Sequence, residues 1–394
     1  MKFPLGQNVH DASDILNMID TLLTEKFTMG EQVSAFETMF AEYVGVKHAM
    51  MVNSGSSANL IALAVLTNYK CKGKLQPGDE VLVPVLCWST SVFPIIQCGL
   101  TPVFVDVDPV TLNIDLVELE RKITPKTKAI MLVHVLGNCT EMQGLMQLVR
   151  HYDLLLIEDT CESLGSLYDN QYLGTFGDIG TFSFYYSHHI TTMEGGMIVT
   201  DDDDYYELMK CLRAHGWSRN LNNKDQIQEQ YPDVDPRFTF VNLGYNVRPM
   251  EIQAAMGISQ LQKLKTKNDN RKLNYQAIKS KIETDPRNTF ISFPKASDKA
   301  DVAWFGVTLF LNESVQLKEY LNYLTANGVE NRPIITGNIV RQPVIKDLYP
   351  DLNPLDFPGA EECHFRGLFI GLSTNLMSEA TVQELVDILL GYKP

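Results

Sequence analysis

Closely spaced thiols are missing from this chain. Its seven cysteines, Cys71, Cys87, Cys98, Cys139, Cys161, Cys211 and Cys363, never form a CxxC or CxC pair. That argues against a disulfide framework and against a zinc or iron–sulfur site built from neighbouring thiolates, and it points to a reducing, cytoplasmic setting. Long apolar runs are missing as well. No stretch approaches the roughly 20 residues that span a bilayer, and the start, MKFPLGQNVHDASD, has no apolar run after its lysine, so it does not read as a signal peptide. Positive charge is in short supply, with 33 basic side chains against 48 acidic and a formal charge of -15. Such a balance gives no long-range attraction for nucleic acid or an anionic membrane, although a local pocket for a small anion remains open. Repeats, low-complexity tracts and Pro/Ser-rich linkers are absent, and no lysine occurs between Lys128 and Lys210.

What is present is a chain of 394 residues with 45% hydrophobic content, long enough for two or three domain-sized units. From about residue 45 to 200, short apolar runs alternate with helical patterns. The strand candidates are Ala49–Val52, Glu80–Pro84, Pro102–Val107, Ala129–Val135, Leu154–Glu158, Thr181–Tyr185 and Met197–Thr200. Several are apolar throughout, as strands buried on both faces are, so the pattern predicts an α/β unit with a mostly parallel, helix-covered sheet. In such sheets ligands sit beyond the carboxyl ends of the strands, which sends the search for chemistry to the following loops. After Gly244 the texture changes. Met250 to about Ile282 reads as one amphipathic helix with Ile252, Met256, Leu261 and Leu264 on a stripe. Two apolar segments follow, Val302–Leu311 and Leu368–Leu372, and then a helix capped by Ser378. The expected division is a large domain over 1–250 and a smaller C-terminal α+β domain over 251–394.

Four features carry candidate chemistry. Asn53-Ser54-Gly55-Ser56-Ser57-Ala58-Asn59 lies between a strand and a helix expected near Leu60, and small residues at a helix N-terminus suit a phosphate. A plain capped turn explains those residues equally well. Asp159 ends an apolar strand, where it either meets a ligand or caps the next helix, and Glu158 reads as support for the loop bearing it. Trp88 follows the strand ending at Pro84 and suits either stacking on a flat ligand or a place at the rim. Finally, His188 and His189 follow Phe182-Ser183-Phe184-Tyr185-Tyr186-Ser187; on an extended segment they point opposite ways, so one at most faces a given ligand. Asp201–Asp204 lacks the spacing of a calcium loop and reads as a solvated helix start. Nothing around the histidines has metal-ligand spacing.

The stretches NSGSSANL, VLVPVLCW, FVDVD, IEDTCESLG, GDIGTFSFYYSHH, EGGMIVT, LRAHGWSR and GYNVRPMEIQAAMG, in this order, resemble the DegT/DnrJ/EryC1/StrS sugar aminotransferases over roughly residues 30–260. The resemblance implies the type I aspartate-aminotransferase fold and pyridoxal 5′-phosphate or pyridoxamine 5′-phosphate as cofactor. It implies that Ser56, Ser57 and Ser183 hold the cofactor phosphate, that Trp88 stacks on the ring and that Asp159 pairs with the ring nitrogen. Asn246 would reach the cofactor phosphate of a neighbouring subunit, which implies a homodimer with shared sites. His215, Trp217 and Arg219 fall on a segment that lines the substrate region in similar enzymes.

Two departures from the family pattern redirect the expected reaction. His188 stands where the family's tethering lysine would be, and Glu162 where glutamine is usual among the cofactor contacts. Together they resemble the lysine-lacking branch that removes the C3 hydroxyl of nucleotide-linked 4-keto-6-deoxyhexoses, with L-glutamate as amino donor. The implied substrate is GDP-4-keto-6-deoxy-D-mannose, of colitose and O-antigen biosynthesis. Imidazole cannot tether the cofactor as an amine does. With an ordinary pKa near ~6.5 it is available as a neutral base at pH 7, which makes His188 the expected catalytic residue. The dispersed cysteines argue against the related route that uses an iron–sulfur reductase partner. Glu330 and Arg332 in Glu330-Asn331-Arg332-Pro333, with Arg341 nearby, are the expected substrate contacts of the second domain, and a surface salt bridge explains Arg332 equally well. The alternative activity is amino transfer to a 4-keto sugar.

Overall fold

The computed structural model describes residues 1–6, 10–73 and 75–393. Among the described residues, fourteen strands run in chain order: β1 His48–Val52, β2 Glu80–Pro84, β3 Thr101–Val105, β4 Thr127–Val133, β5 Leu155–Asp159, β6 Leu167–Tyr168, β7 Gln171–Tyr172, β8 Ile179–Ser183, β9 Gly196–Thr200, β10 Ile291–Ser292, β11 Ala300–Asp301, β12 Val307–Leu311, β13 Asn331–Pro333 and β14 Gly367–Ile370. The large sheet has the order β1-β9-β8-β5-β4-β2-β3. Its strands from β3 to β8 pair in parallel, while β9 runs antiparallel to both β8 and β1. The seven predicted main-sheet strands are these seven, displaced by one or two residues at several ends. Their apolar runs have the predicted cause, because helices cover both faces of the sheet. On one face Ile61, Val65, Val83, Met131 and Ile198 pack together, and on the other Leu82, Ile130, Leu132 and Leu156 join Leu145 and Val149.

Four helices are needed to place the site: α1 Ala12–Leu23, α2 Glu31–Val44, α3 Gly55–Leu66 and α4 Ser89–Gln97. The long predicted helix runs from Glu251 to Thr284. Its inward face is more polar than the predicted stripe. Met256, Leu261 and Leu264 are buried, but so are Asn268, Arg271 and Asn274, while Ile252 is only partly covered. These polar groups bond the backbone of the chain they cover. Asn268 donates to the Leu164 carbonyl at 3.1 Å and Asn274 to the Ser373 carbonyl at 3.0 Å, which satisfies groups that burial would otherwise leave unpaired.

The second sheet, β10-β12-β14-β13, is antiparallel throughout. Of the apolar segment 302–311 only Val307–Leu311 is strand, and the final helix, Glu379–Leu390, is capped by Ser378 as expected. The chain's first residues join this sheet region rather than the large domain to which 1–250 was assigned. Lys2 and Phe3 donate to the Gly328 carbonyl and Glu330 donates to the Phe3 carbonyl. Backbone pairing of so short a segment has no periodicity to announce it.

Glu251 shows how the two parts are joined. Its buried carboxylate accepts from the N–H groups of Gly30 (2.7 Å), Gln32 (2.9 Å) and Val33 (3.0 Å), closing the positive end of α2. Glu251→Ala should strand those donors and lower unfolding free energy by about 2–4 kcal/mol. Urea denaturation checks this, and an unchanged midpoint would remove Glu251 from that role.

Candidate active site

The site assembles where β5 and β8 end. Ser54 caps α3, accepting from Ser57 N–H at 3.1 Å, so this helix starts at Gly55 and not near Leu60 as expected. The earlier start places Ser56 and Ser57 in the first turn, where helix N–H groups lack intrahelical partners. The turn lies hard against β8. A Cβ on Gly55 would stand 2.5 Å from Cβ of Ser183, so only glycine allows the approach that brings the Ser183 hydroxyl to the helix start. Ser56 in turn donates to the Thr90 hydroxyl at 3.1 Å, tying this corner to α4.

Asp159 is buried at the carboxyl end of β5. Asn59 Nδ2 donates to its Oδ2 at 2.8 Å and Ser91 Oγ donates to the same oxygen at 2.7 Å. Asn59 is itself oriented by the Thr181 hydroxyl at 2.6 Å. Composition and spacing did not single out Asn59, Ser91 or Thr181, although Asn59 lies within the NSGSSANL stretch. Trp88 occupies the cap position of α4 and is 56% exposed, so its ring is available on the open side. Glu158 does something other than expected. It holds the loop leading into β8 through the N–H groups of Gly174, Phe176 and Gly177, at 2.7–2.9 Å, and meets His134 Nε2 at 3.2 Å.

His188 sits in a turn after β8, not on an extended segment, and its N–H donates to the Tyr185 carbonyl at 3.0 Å. The turn still separates the two rings. His188 Nδ1 lies 2.7 Å from the Cys161 carbonyl, while His189 is fully buried with Nε2 2.8 Å from the Ala303 carbonyl. A carbonyl only accepts, so the proton of neutral His188 is on Nδ1 and the lone pair on Nε2. Burial pushes the His188 pKa down to about 4 against the opposing pull of the Cys161 carbonyl and Asp159. Its resting state at pH 7 is therefore the neutral base.

Glu162, one turn past Asp159, accepts from the Leu136 N–H at 2.9 Å. Burial pushes its carboxyl up to about 7, against that hydrogen bond, with the charge of Asp159 adding to the rise. Glu162 is thus poised to hold a proton near neutrality.

The substrate-side candidates form two further groups. His215 (φ 62°), Trp217, Arg219 and Asn246 converge through Arg248. The Arg219 guanidinium lies 4.5 Å from the Trp217 ring and that of Arg248 5.6 Å, and Arg248 Nε donates to Asn246 Oδ1 at 3.0 Å. This cluster adjoins the α3 corner, since Asn53 N–H donates to the Val247 carbonyl at 3.0 Å. Arg332 Nη2 pairs with Glu330 Oε1 at 2.8 Å, and Glu330 Oε2 accepts from Leu5 N–H at 2.8 Å, so both side chains already have partners. Arg341 is likewise paired, with Glu361. Among the described residues, no group of three or more His, Cys, Asp or Glu side chains is placed to hold a metal ion, and no helix is long and apolar enough to cross a membrane.

The donor set fits a phosphorylated pyridine. A helix start with hydroxyls suits a phosphate, a fixed buried carboxylate suits a protonated ring nitrogen, and an exposed indole offers a stacking face. Comparison with known proteins agrees. Residues 9–390 match the DegT/DnrJ/EryC1/StrS aminotransferase family. The chain is 40% identical over 395 residues to GDP-4-keto-6-deoxy-D-mannose 3-dehydratase of Yersinia pseudotuberculosis, covering 99% of this chain and 98% of that one. It superposes with TM-score 0.91 and 37% identity on a crystal structure of GDP-4-keto-6-deoxymannose-3-dehydratase, an H188N mutant with bound GDP-perosamine, over 98% of this chain and 100% of that one. A second structure of an enzyme so named, with a trapped PLP-glutamate geminal diamine, gives the same score, identity and coverage.

The raised Glu162 carboxyl makes a signed prediction. A folded-state pKa above the unfolded one contributes stability that is lost as pH rises from about 4.5 through 7. Glu162→Gln removes this dependence. Urea midpoints should show the variant gaining on wild type by about 1–3 kcal/mol between pH 5 and 8, and a pH-independent difference would contradict the assignment.

Proposed function

This chain belongs to the DegT/DnrJ/EryC1/StrS aminotransferase family, and from that premise we propose that it removes the C3 hydroxyl of GDP-4-keto-6-deoxy-D-mannose. The cofactor of the proposal is pyridoxamine 5′-phosphate, regenerated from the pyridoxal form by L-glutamate. One observation carries the reading. The first ring of the tandem histidines stands beside the cofactor acid with its Nδ1 spoken for and Nε2 without a hydrogen bond to the described residues, and no lysine is nearby in sequence to take the tethering place.

When bound, the cofactor supplies an amine to join the C4 ketone and a ring to take up electrons. The chain's residues do the rest. Ser56, Ser57 and Ser183 hold the phosphate at the start of α3, Asp159 holds a proton on the ring nitrogen, and Trp88 covers one face of the ring. Nε2 of His188 would accept the proton lost from the cofactor's aminomethyl carbon and deliver it to the departing C3 hydroxyl, which leaves as water, a task that needs a neutral imidazole at the outset. Glu162, protonated to a substantial degree near neutral pH, donates a hydrogen bond at the cofactor edge without adding negative charge beside Asp159. Arg219 and the Glu330–Arg332 pair contact the substrate, Arg332 exchanging its internal partner for an anionic group, with His215 beside Arg219.

A homodimer with shared sites is part of the proposal. Asn246 is exposed, and α1 buries Asp14 while leaving Ile15, Leu16, Ile19, Leu22 and Leu23 open, the reverse of a helix meant to end at water. A cytoplasmic setting accords with seven cysteines that are all free thiols.

Incubation with the cofactor, L-glutamate and GDP-4-keto-6-deoxy-D-mannose should release ammonia and a 3-deoxy-4-keto sugar. A product that keeps nitrogen on the sugar would sink the proposal in favour of amino transfer. His188→Asn should retain cofactor absorbance while turnover falls about 10³-fold. Near-wild-type turnover in that variant would take His188 out of the mechanism.

A further inference from the structure

The buried member of the histidine pair leads away from the cofactor corner into the small domain. His189 Nε2 donates to the carbonyl of Ala303, the first residue of a segment, Ala303–Phe305, that is tied down at every position. Ala303 N–H donates to Ser166 Oγ at 2.9 Å and Phe305 N–H to the Leu136 carbonyl at 3.0 Å. Arg271, buried on the long helix, donates from Nη1 to the Phe305 carbonyl at 2.8 Å and to that of Trp304 at 3.3 Å. Gly137 (φ 92°) is what admits the segment, since a Cβ there would stand 2.3 Å from the Ala303 carbonyl oxygen.

All of this holds one ring. Phe305, partly exposed at the edge of the site, stands edge-on to His188 with centroids 5.2 Å apart and planes at 84°, and edge-on to His189 at 5.7 Å and 64°. Edge-to-face contact is directional. With Nδ1 bonded to Cys161 on one side and the phenyl ring against it on another, the His188 imidazole has little freedom to swing Nε2 off line. The same ring excludes water from His188 without offering a hydrogen bond in exchange.

On the footing of the dehydratase reading, we propose that Phe305 is a positioning residue for His188, and that His189 keeps Phe305 in place through its bond to Ala303. The doubled histidine thereby has two tasks, proton transfer for the first and alignment of the first for the second.

The charged and titratable groups facing His188 are Asp159 from β5, Arg271 from the long helix, and His189 and Tyr185 from its own turn. Trimming Phe305 leaves all of them in place and changes only solvation and restraint. Admitting water favours the imidazolium, so the His188 pKa should rise from about 4 toward its ordinary value.

The test reads the ring directly. Histidine-labelled protein, with and without pyridoxal phosphate, is titrated by nitrogen NMR as wild type, Phe305→Ala, His189→Phe and His189→Gln. Phe305→Ala and His189→Phe should raise the His188 pKa by about one unit or more and lose the single Nδ1–H tautomer. His189→Gln, which keeps an N–H for the Ala303 carbonyl, should hold the His188 titration near the wild-type value. Steady-state kinetics should show kcat reduced about tenfold in Phe305→Ala with KM little changed. A folded Phe305→Ala protein, by circular dichroism and melting, whose His188 titration matches wild type would overturn the proposal. Should the alanine variant fail to fold, Phe305→Leu reads the same quantity with a smaller expected shift, and no shift there is equally fatal. Because the titration needs no substrate, wild-type enzyme that forms no 3-deoxy sugar would sink the dehydratase reading while leaving the alignment claim to be judged separately.

Discussion

A single hydrogen bond, from His188 Nδ1 to the carbonyl of Cys161 at 2.7 Å, sets what this site can do. Cys161 lies two residues past Asp159, so the strand end that presents Asp159 also orients the His188 ring. Because the acceptor is a backbone carbonyl, the imidazole is kept in one tautomer without a second carboxylate beside it. A carboxylate in that place would have raised the imidazole's pKa and favoured the charged form. The carbonyl orients without charging, and burial holds the ring neutral.

The neighbouring acids show the same economy of charge. Asp159 takes hydrogen bonds from three neutral donors, Asn59, Ser91 and the Cys161 N–H, and meets no arginine or lysine among its hydrogen-bond partners in the described residues. Glu162 is pushed toward its neutral form by burial and by Asp159. Glu158, one residue before Asp159 and facing the other way, spends its charge on three loop N–H groups and His134. Alternation along β5 thus separates a carboxylate that holds the loop before β8 from one that faces the candidate site, and successive side chains on a strand do point to opposite faces.

The small domain is part of the site as well as a neighbour to it. Its segment 303–305 reaches across to the histidine turn, and Thr336 reaches the carbonyl of Cys87 beside Trp88 at 2.7 Å. The N-terminal residues are held by Glu330, the same side chain that pairs with Arg332. A substrate group that drew Arg332 away from Glu330 would therefore act on a carboxylate already bonded to another part of the chain.

Read alone, the sequence determined the sheet, because strands buried on both faces must be apolar throughout. It located the acid at the end of β5 and the small-residue turn at 53–59, because turn residues and strand ends are local features, although the helix begins earlier than the apolar pattern implied. The missing lysine and the histidine in its place are matters of identity and need no coordinates. Tertiary structure alone decided how the two histidine rings are held apart, since the turn after β8 does not follow strand alternation. It decided that Glu158 serves the loop before β8, that the first residues pair with the small domain, and that Arg332 rests on Glu330. It alone exposed Asn59, Ser91 and Thr181 in the network around Asp159 and Phe305 against His188. Apart from the neighbouring Glu330 and Arg332, these rest on contacts between residues far apart in the chain, and such contacts are set by how the layers pack, which no local pattern encodes.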